Sequence, residues 1–440
     1  MFKAERDGSE AQAVSANYRI YALILLTAIY ASNYADRMIL SVLMPAIKAE
    51  FSLSDAAMGF LSGTAFAIFY ATLGVPIAMW ADRGNRKTII VLATATWSVM
   101  TAVCGLAGNF WQLAVARIGV GVGEAGGSPP THSIISDMFG PETRVIALAV
   151  YTMGAPFGLL IGLYGGAQIA EIYGWRAAFY ALGIPGLALA LLAWFTLREP
   201  ARGAIEGHID TGHAPPLMDV VRHIRSKPSL VHAFAGATLT TLVGYAGVVW
   251  WPSFIMRSHG MSMADMSLFL ALVFGIAGAG GVFAGGYFAT ILSRRDVRWM
   301  PQFVAMAILL SLPFAAATYL VDGSITVFIL IGVPAFIGGV YLPPTYAMTQ
   351  ALVGVRMRTV ASALLLFSIN FVGMSVGPWL TGYLSDLWMP DFGDDSLRYA
   401  LLAVTAFNVW AAAHYWIAGR YFEEDLSLMY ATVDSRSLIS

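Results

Sequence analysis

Four charged residues lie within long apolar stretches of the sequence, where ionisable side chains are rare. Asp36 and Arg37 are neighbours in the first stretch, and Arg117 and Glu124 stand seven residues apart in the fourth, a spacing that puts them on one face of a helix. If the outer ends of the two stretches are near Ala46 and Phe110, a helical rise of about 1.5 Å per residue puts Asp36 and Arg37 about 14–15 Å deep, Arg117 about 10 Å deep and Glu124 about 21 Å deep. The depths of the two acid–base pairs therefore overlap, and the pairs can meet if their helices are adjacent.

These four residues have the chemistry of a proton-binding site. Buried charge costs several kcal/mol unless it is paired or hydrated, so it indicates function by default. The proton affinity of a carboxyl group rises on burial and falls beside an arginine, so a carboxyl group that moves between these environments binds and releases a proton. We therefore interpret Asp36, Glu124, Arg37 and Arg117 as a proton-coupling site. The alternative is a purely structural ion-pair cluster, which two acids and two bases would also form.

The elements that must position these charges are membrane-spanning helices. The chain has 440 residues, of which 58% are hydrophobic and only 12% charged, about half the charged fraction of a soluble domain. A helix needs about 20 apolar residues to cross a bilayer, and runs of this length must satisfy their backbone groups internally. We therefore predict an all-α membrane protein. It has twelve transmembrane helices, at roughly 18–46, 55–79, 88–107, 110–136, 145–171, 176–197, 230–256, 264–291, 299–320, 324–350, 358–385 and 397–419.

A long polar connection divides the helices into six and six, and the two halves repeat. The tripeptide Pro-Pro-Thr at 129–131 recurs at 343–345, an offset of 214, and Arg144 maps to Arg358 at the same offset. A duplicated six-helix unit is typical of secondary transporters with a site near the midplane. The predicted organisation is a tail at 1–17, a bundle at 18–197, a linker at 198–229, a second bundle at 230–419 and a tail at 420–440.

The linker contains an apolar pattern of its own. Leu217, Val220, Val221 and Ile224 recur at helical spacing beside basic residues. This pattern favours an amphipathic helix that lies on the membrane interface. The alternative is a solvated linker.

The basic residues predict the orientation of the chain in the membrane. With the N-terminus inside, the inside segments hold 19 Lys or Arg residues and the outside loops hold 4. An excess of basic residues marks the cytoplasmic side. We expect both termini to be cytoplasmic, in an inner (plasma) membrane.

The loop after the second helix carries a charged motif, Ala78-Met-Trp-Ala-Asp-Arg-Gly-Asn-Arg-Lys87. It resembles the loop signature of the major facilitator superfamily, with Ala78 in place of the usual Gly and Lys87 in place of the last Arg. The resemblance implies a charge lock between this loop and the start of the eleventh helix, which closes the cytoplasmic side in one state. The predicted gate residues are Asp82, Arg83, Gly84, Arg86, Lys87 and Arg358. The alternative is a topology signal alone.

Further motifs narrow the resemblance to one family. Arg117-x-x-x-Gly121-x-Gly123 is similar to the fourth-helix signature of proton-coupled facilitators. Asn-Tyr-Ala-Asp-Arg at 33–37, Gly-Glu-Ala at 123–125 and Arg-Glu-Pro-Ala-Arg-Gly-Ala-Ile-Glu at 198–206 resemble the spinster-homologue family. The similarity implies a bacterial member with a major facilitator fold. Animal members are associated with sphingosine-1-phosphate and other lysolipids.

The second half brings aromatic residues where the first half brings charges. Position 36 plus the offset of 214 is Trp250. A cavity that is charged on one side and aromatic on the other suits an amphiphile with a polar head and an apolar tail. The alternative for Trp250 is an aromatic belt at the membrane surface. The predicted substrate-binding residues are Arg37, Glu124, Tyr34, Trp250, Tyr341 and Asn370.

Together these patterns predict a proton-coupled secondary transporter for a lipid-like substrate, working by alternating access as a monomer, with protons and membrane lipids as partners. A drug–proton antiporter or an uncoupled facilitator is the alternative within this class, and a lipid scramblase or a membrane receptor lies outside it. We find no nucleophile–base set, metal cluster or cofactor motif in the sequence, so we expect no enzyme activity, metal or cofactor. A net charge of −1 gives no basic face for nucleic acid, and the single cysteine, Cys104, excludes an internal disulfide.

Overall fold

A computed structural model describes residues 15–200, 216–354 and 357–437 of the chain. Within these ranges the side chains of a few helical residues, Asp82 among them, are not described. The described residues form helices joined by short turns, with no strand among them. Residues 1–14 of the predicted tail at 1–17, segment 201–215 of the predicted linker, residues 355–356 and residues 438–440 lie outside the described residues.

Twelve long helical segments make up the two halves. The first half consists of Ala16–Phe51 (α1), 55–83 (α2), Arg86–Cys104 (α3), 110–138 (α4), 141–173 (α5) and Trp175–Thr196 (α6). The second half consists of Pro228–His259 (α7), 263–293 (α8), Trp299–Leu320 (α9), 324–351 (α10), 358–392 (α11) and 396–437 (α12). A short linker helix, Leu217–Arg225, lies between the halves in sequence.

Nine helices in the described part are long and apolar enough to span a membrane, and one of these stretches, Arg358–Met429, runs through both α11 and α12. The other two segments are α1 and α4. The polar residues Asn33, Asp36 and Arg37 lower the mean hydropathy of α1. The structure breaks α4 after Glu124, where the sequence predicted one continuous helix.

The ends of the helices follow from local sequence. Ser15 caps α1, Ser54 caps α2, and Asn85 and Asn109 cap α3 and α4, each through a side-chain oxygen that accepts a backbone N–H. Such caps satisfy amides that have no partner inside the helix. At the other end, α12 continues to Ser437, so part of the predicted tail at 420–440 extends the last helix.

Four helices contain a wide π turn near their middle, at Phe60–Thr64, Ile161–Gly165, Val273–Gly278 and Ile369–Met374. These helices are α2, α5, α8 and α11. They pack in pairs across the boundary between the halves, α2 with α11 and α5 with α8. Because π turns are rare and occur often at functional sites, their placement makes the boundary between the halves a candidate functional region.

The linker helix packs on the second half through part of its apolar face. Val220 and Ile224 are buried against α7, α10 and α11, in a cluster that includes Leu352. Leu217 and Met218 are exposed. Of the apolar residues predicted to face the membrane surface, Val220 and Ile224 contact the protein instead, whereas Leu217 is exposed.

Candidate functional site

Arg37 and Glu124 form an ion pair in the interior of the first half. Arg37 donates to Glu124 Oε2 through both a terminal nitrogen, at 2.6 Å, and Nε, at 3.1 Å. The Glu124 side chain is fully buried and the Arg37 side chain is 9% exposed. Both bonds end on the same oxygen, so they orient the guanidinium and leave Glu124 Oε1 outside the pair.

Two glycines allow α4 to approach its neighbours closely enough to form this pair. A Cβ atom on Gly121 would lie 2.5 Å from the carbonyl oxygen of Phe66 in α2, and one on Gly123 would lie 2.5 Å from the backbone nitrogen of Trp97 in α3. Real side chains do not pack at such distances, so only glycine fits at these positions. The glycines thereby set the place of Glu124 on the next turn.

Aromatic rings surround the Arg37 guanidinium. The rings of Tyr34, Phe66 and Tyr70 have their centroids 5.0 to 5.1 Å from Arg37 Cζ. Tyr245, on α7 of the second half, also faces Arg37. Ring faces stabilise a cation where water is scarce, so Arg37 remains charged while it faces the boundary between the halves.

Asp36 and Arg117 lie deeper and do not form an ion pair with each other. Asp36 is fully buried and Arg117 is 1% exposed. Arg117 reaches the backbone carbonyl of Asp36 at 3.5 Å, and the Phe66 ring lies 5.4 Å from its Cζ. The structure therefore brings together Arg37 and Glu124 directly and leaves Asp36 and Arg117 beside each other without a salt bridge.

The other predicted substrate-binding residues come from the second half. The Tyr341 hydroxyl is 2.7 Å from that of Thr241. Asn370 lies in the wide turn of α11 and is partly exposed. Trp250 is fully buried and donates from Nε1 to the carbonyl of Pro378 at 2.8 Å. Trp250 therefore packs α7 against α11 in this conformation, and it belongs neither to an exposed cavity wall nor to a lipid-facing belt.

Among the predicted gate residues whose side chains are described, Arg86, Lys87 and Arg358 make contacts within their own halves. Arg86 is 1% exposed and donates to Glu199 Oε1 and Ser133 Oγ, each at 2.7 Å, to Asp137 and to the carbonyl of Pro200. These contacts tie α3, α4 and the end of α6 together, so Arg86 acts here as an internal brace.

The remaining gate residues differ in exposure. The Lys87 ammonium lies 5.8 Å from the ring of Trp194, and Arg83 is exposed. Gly84 ends α2 with its N–H bonded to the Trp80 carbonyl. Arg358 is exposed and donates to the Gln350 carbonyl at 3.2 Å, and the side chain of Asp82 lies outside the described residues.

The face of the molecule opposite the chain termini, called here the distal face, contains a charge cluster that the sequence analysis missed. Asp55, at the start of α2, is fully buried and bonds Lys48 of α1 at 2.6 Å and Arg257 of α7 at 2.6 and 2.7 Å. The Ser385 hydroxyl of α11 donates to the same carboxylate at 2.7 Å. We call Asp55, Lys48, Arg257 and Ser385 the distal lock, because it joins the two halves.

Asp386 adds a second cross-half contact beside the distal lock. Its carboxylate accepts hydrogen bonds from the backbone N–H groups of Asp55 and Ala56 at 2.8 and 2.7 Å. These groups form the N-terminus of α2, where the positive end of the helix dipole stabilises a negative charge. The sequence contained one indication of this cluster. Lys48 and Arg257 are two of only four basic residues predicted on the side of the membrane opposite the termini. Their shared acid lies 202 residues from Arg257 in sequence, a separation that no local pattern reveals.

Comparison with known proteins identifies the family. Residues 26–378 match the Major Facilitator Superfamily. The chain is 34% identical to an MFS-type efflux pump of Mycolicibacterium smegmatis, over 90% of this chain and 91% of that protein. It is 28% identical to protein spinster homolog 1 of Homo sapiens, over 92% of this chain and 81% of that protein.

Solved structures agree with the sequence comparison. The crystal structure of a bacterial homologue of the human lysosomal transporter Spinster, inward-facing and unoccupied, matches with a TM-score of 0.83 at 32% identity, covering 93% of this chain and 99% of that chain. The predicted fold class and the predicted family are thereby confirmed, and the protein is an integral membrane transporter of small molecules rather than an enzyme. The chain belongs to the Major Facilitator Superfamily and is a spinster-like member of it.

Proposed function

We propose that this protein is a proton-coupled secondary transporter of lipid-like or amphiphilic substrates, working by alternating access as a monomer. The observation that carries the proposal is the buried Arg37–Glu124 pair, which faces the boundary between the halves and has Asp36 beside it. A carboxylate at this depth is stabilised by its arginine, and it becomes free to bind a proton when that arginine turns to another anion. The anionic head of a substrate is such a partner.

The walls of this site favour an amphiphile. Arg37 offers a charged group for a polar head, while Tyr34, Phe66 and Tyr70 supply aromatic surface around it. Tyr341 and Asn370 add polar groups from the second half, and rearrangement of α7 against α11 would expose Trp250. The similarity to spinster homologues supports a lipid-like substrate, and the similarity to an efflux pump favours a drug–proton antiporter as the second candidate.

The experiment is transport in proteoliposomes with an imposed pH gradient. Probes are a fluorescent lysophospholipid with an anionic head, a fluorescent sphingoid base phosphate and a cationic dye. We expect the lipid probes to accumulate with the gradient and to lose accumulation when a protonophore is added. Transport at the same rate with and without the pH gradient would indicate an uncoupled facilitator. Transport of the dye without transport of the lipid probes would favour the antiporter. Flux of lipid probes in both directions with no saturation would indicate a scramblase, and no transport at all would favour a receptor.

We also propose an orientation for the protein. It lies in the inner membrane, and both termini and the linker are in the cytoplasm. Cysteines introduced at Ser9 or Gly207, in a background lacking Cys104, should resist an impermeant thiol reagent in intact cells and react after lysis. The reason is the excess of 19 basic residues over 4 on that side. Labelling of either position in intact cells would show that this part of the chain is outside the cell and would contradict the proposed orientation.

The gate is tested by Asp82→Asn, with Lys87 and Arg358 as its proposed partners in the closed state. Loss of this charge should favour the cytoplasm-open conformation by roughly 1–3 kcal/mol, the usual size of a coupling between sites. Spin labels at exposed Thr143 and Arg295 (the terminal pair) should then report longer distances. An unchanged distance distribution would leave this loop with a topology role only.

A further inference from the structure

Next to the Arg37–Glu124 pair, three buried side chains have hydrogen-bonding capacity that the described residues leave largely unfilled, although Thr101 interacts with the Asp36 carboxylate. Asp36 is fully buried, and Thr101 and Arg117 are each 1% exposed. Both carboxylate oxygens of Asp36, the Thr101 hydroxyl, and Nε and one terminal nitrogen of Arg117 form no hydrogen bond of normal geometry with the described residues. We call Asp36, Thr101 and Arg117 the inner chamber.

Unpartnered buried groups of this kind need an explanation, since burial without a hydrogen bond destabilises a protein and does so more strongly for charged groups. The inner chamber combines acceptors on Asp36 with donors on Arg117. A metal cation would use only the acceptors and would be repelled by Arg117. An anion would use only the donors and would be repelled by Asp36. Water both donates and accepts, so it is the ligand that fits a mixed set.

Thr101 differs from the other buried threonine of its helix. The Thr94 hydroxyl, fully buried on α3, donates to the carbonyl of Ile90 one turn earlier at 2.7 Å, which is the usual arrangement for a helical threonine. The Thr101 hydroxyl makes no such bond in the described part of the chain and lies beside the Asp36 carboxylate. Its hydroxyl hydrogen can therefore point to the Asp36 carboxylate, and its oxygen is available to accept a hydrogen bond from a ligand in the inner chamber.

The inner chamber lies beside the ion pair, since Asp36 and Glu124 are close enough to interact electrostatically. Arg117 and Glu124 are on one face of α4. The second carboxylate oxygen of Glu124 forms no hydrogen bond of normal geometry with the described residues, although Asn33 lies near this carboxylate. We propose that the inner chamber holds bound water, positioned by Thr101, that carries protons between Asp36 and Glu124. This inference rests on the proposed proton coupling.

The transfer balances without any further reactant. A proton leaves one carboxyl group for a neighbouring water, another proton passes from the water chain to the second carboxylate, and the water is regenerated. Thr101 acts as a positioning residue, since its hydroxyl accepts a hydrogen bond from water while it donates one toward Asp36.

The first test compares Thr101→Val with Thr94→Val. Both changes replace a buried threonine of α3 with an isosteric residue, but only Thr101 faces the inner chamber. Loss of a donor beside Asp36 destabilises the ionised carboxylate. We therefore expect Thr101→Val to move the pH midpoint of the conformational equilibrium upward by about one pH unit, the equivalent of one hydrogen bond to a charged group. Thr94→Val should stay at the wild-type midpoint, and Thr101→Ser should restore it. An unmoved midpoint in Thr101→Val would overturn the positioning role.

The second test uses Cys104 as a native reporter. It is the sole cysteine of the chain, is fully buried, and lies close enough to Arg117 and Asp36 to interact with both electrostatically. Its S–H infrared band should convert to S–D within minutes of transfer of the folded protein into D₂O, and more slowly in Thr101→Val than in Thr94→Val. A band that persists for hours in wild type would show a dry chamber and end the inference. Because this readout needs no conformational change, a wild type that exchanges here but ignores pH would refute the proposed coupling and leave the water site standing.

Discussion

Asp55→Asn is expected to open the distal face of the transporter. In the wild type the Asp55 carboxylate bonds Lys48, Arg257 and Ser385, and Arg257 and Ser385 belong to the second half. The variant leaves two partly buried cations without their anion. Breaking such a pair by removing one partner costs about 3–5 kcal/mol when it is fully buried, and partial exposure of the cations reduces this to about 3 kcal/mol. That is more than a hundredfold in the ratio of the two conformations.

The measurement is the distance between spin labels at exposed Glu171 and Ile325 (the distal pair), in a background lacking Cys104. The distances should lengthen in Asp55→Asn. Glu50→Gln is the matched control, because Glu50 bonds Arg176 at 2.7 Å in an ion pair that is exposed and lies within the first half. Such a pair contributes at most about 1 kcal/mol. Equal distance distributions in the two variants would show that the distal lock does not hold the halves together.

Glu124→Gln is expected to fold and to lose its response to pH. Gln keeps the shape of the side chain and can still accept a hydrogen bond from Arg37, and it resembles the protonated carboxyl group. If the cluster were merely structural, the variant would leave two buried arginines facing Asp36 alone and destabilise the protein by about 3–5 kcal/mol. The two accounts therefore predict opposite results for stability.

The stability measurement is thermal unfolding in detergent, together with the yield of monodisperse protein. We expect the melting temperature of Glu124→Gln to stay within a few degrees of wild type, while the distances of the distal and terminal pairs no longer change with pH. Glu50→Gln again serves as a control that removes a carboxylate without touching the site, and it should keep the wild-type pH response. A large loss of melting temperature and yield in Glu124→Gln would favour the structural account.

The sequence predicted those features of the site that depend on local spacing. The interval between Arg117 and Glu124 placed both on one face of α4, and counting residues from the outer ends of the apolar runs put Arg37 at a depth between those of Arg117 and Glu124. The structure has the side chains of Arg37 and Glu124 in contact. The apolar runs also predicted the twelve helices, because a bilayer imposes a minimum length that sequence composition reveals directly.

Contacts that join distant elements could not be predicted in the same way. The pairing of Asp55 with Arg257 depends on how two halves dock, and the burial of Trp250 depends on the packing of α7 against α11. The break in α4 had a visible signal in Gly126 and Gly127 followed by two prolines. The predicted helix nevertheless runs through the break, because most residues on both sides of it are apolar.

The central claim is that protonation of Asp36 and Glu124 drives the exchange between the two conformations. Two interacting acids titrate as a pair, so the double variant Asp36→Asn/Glu124→Gln is the decisive comparison. The measurement is the ratio of the two conformations, from distances in the distal and terminal pairs, between pH 5 and pH 8. The account predicts a ratio that shifts with pH in wild type and stays constant in the double variant. A wild-type ratio that does not move, or a double variant that responds as fully as wild type, would contradict it.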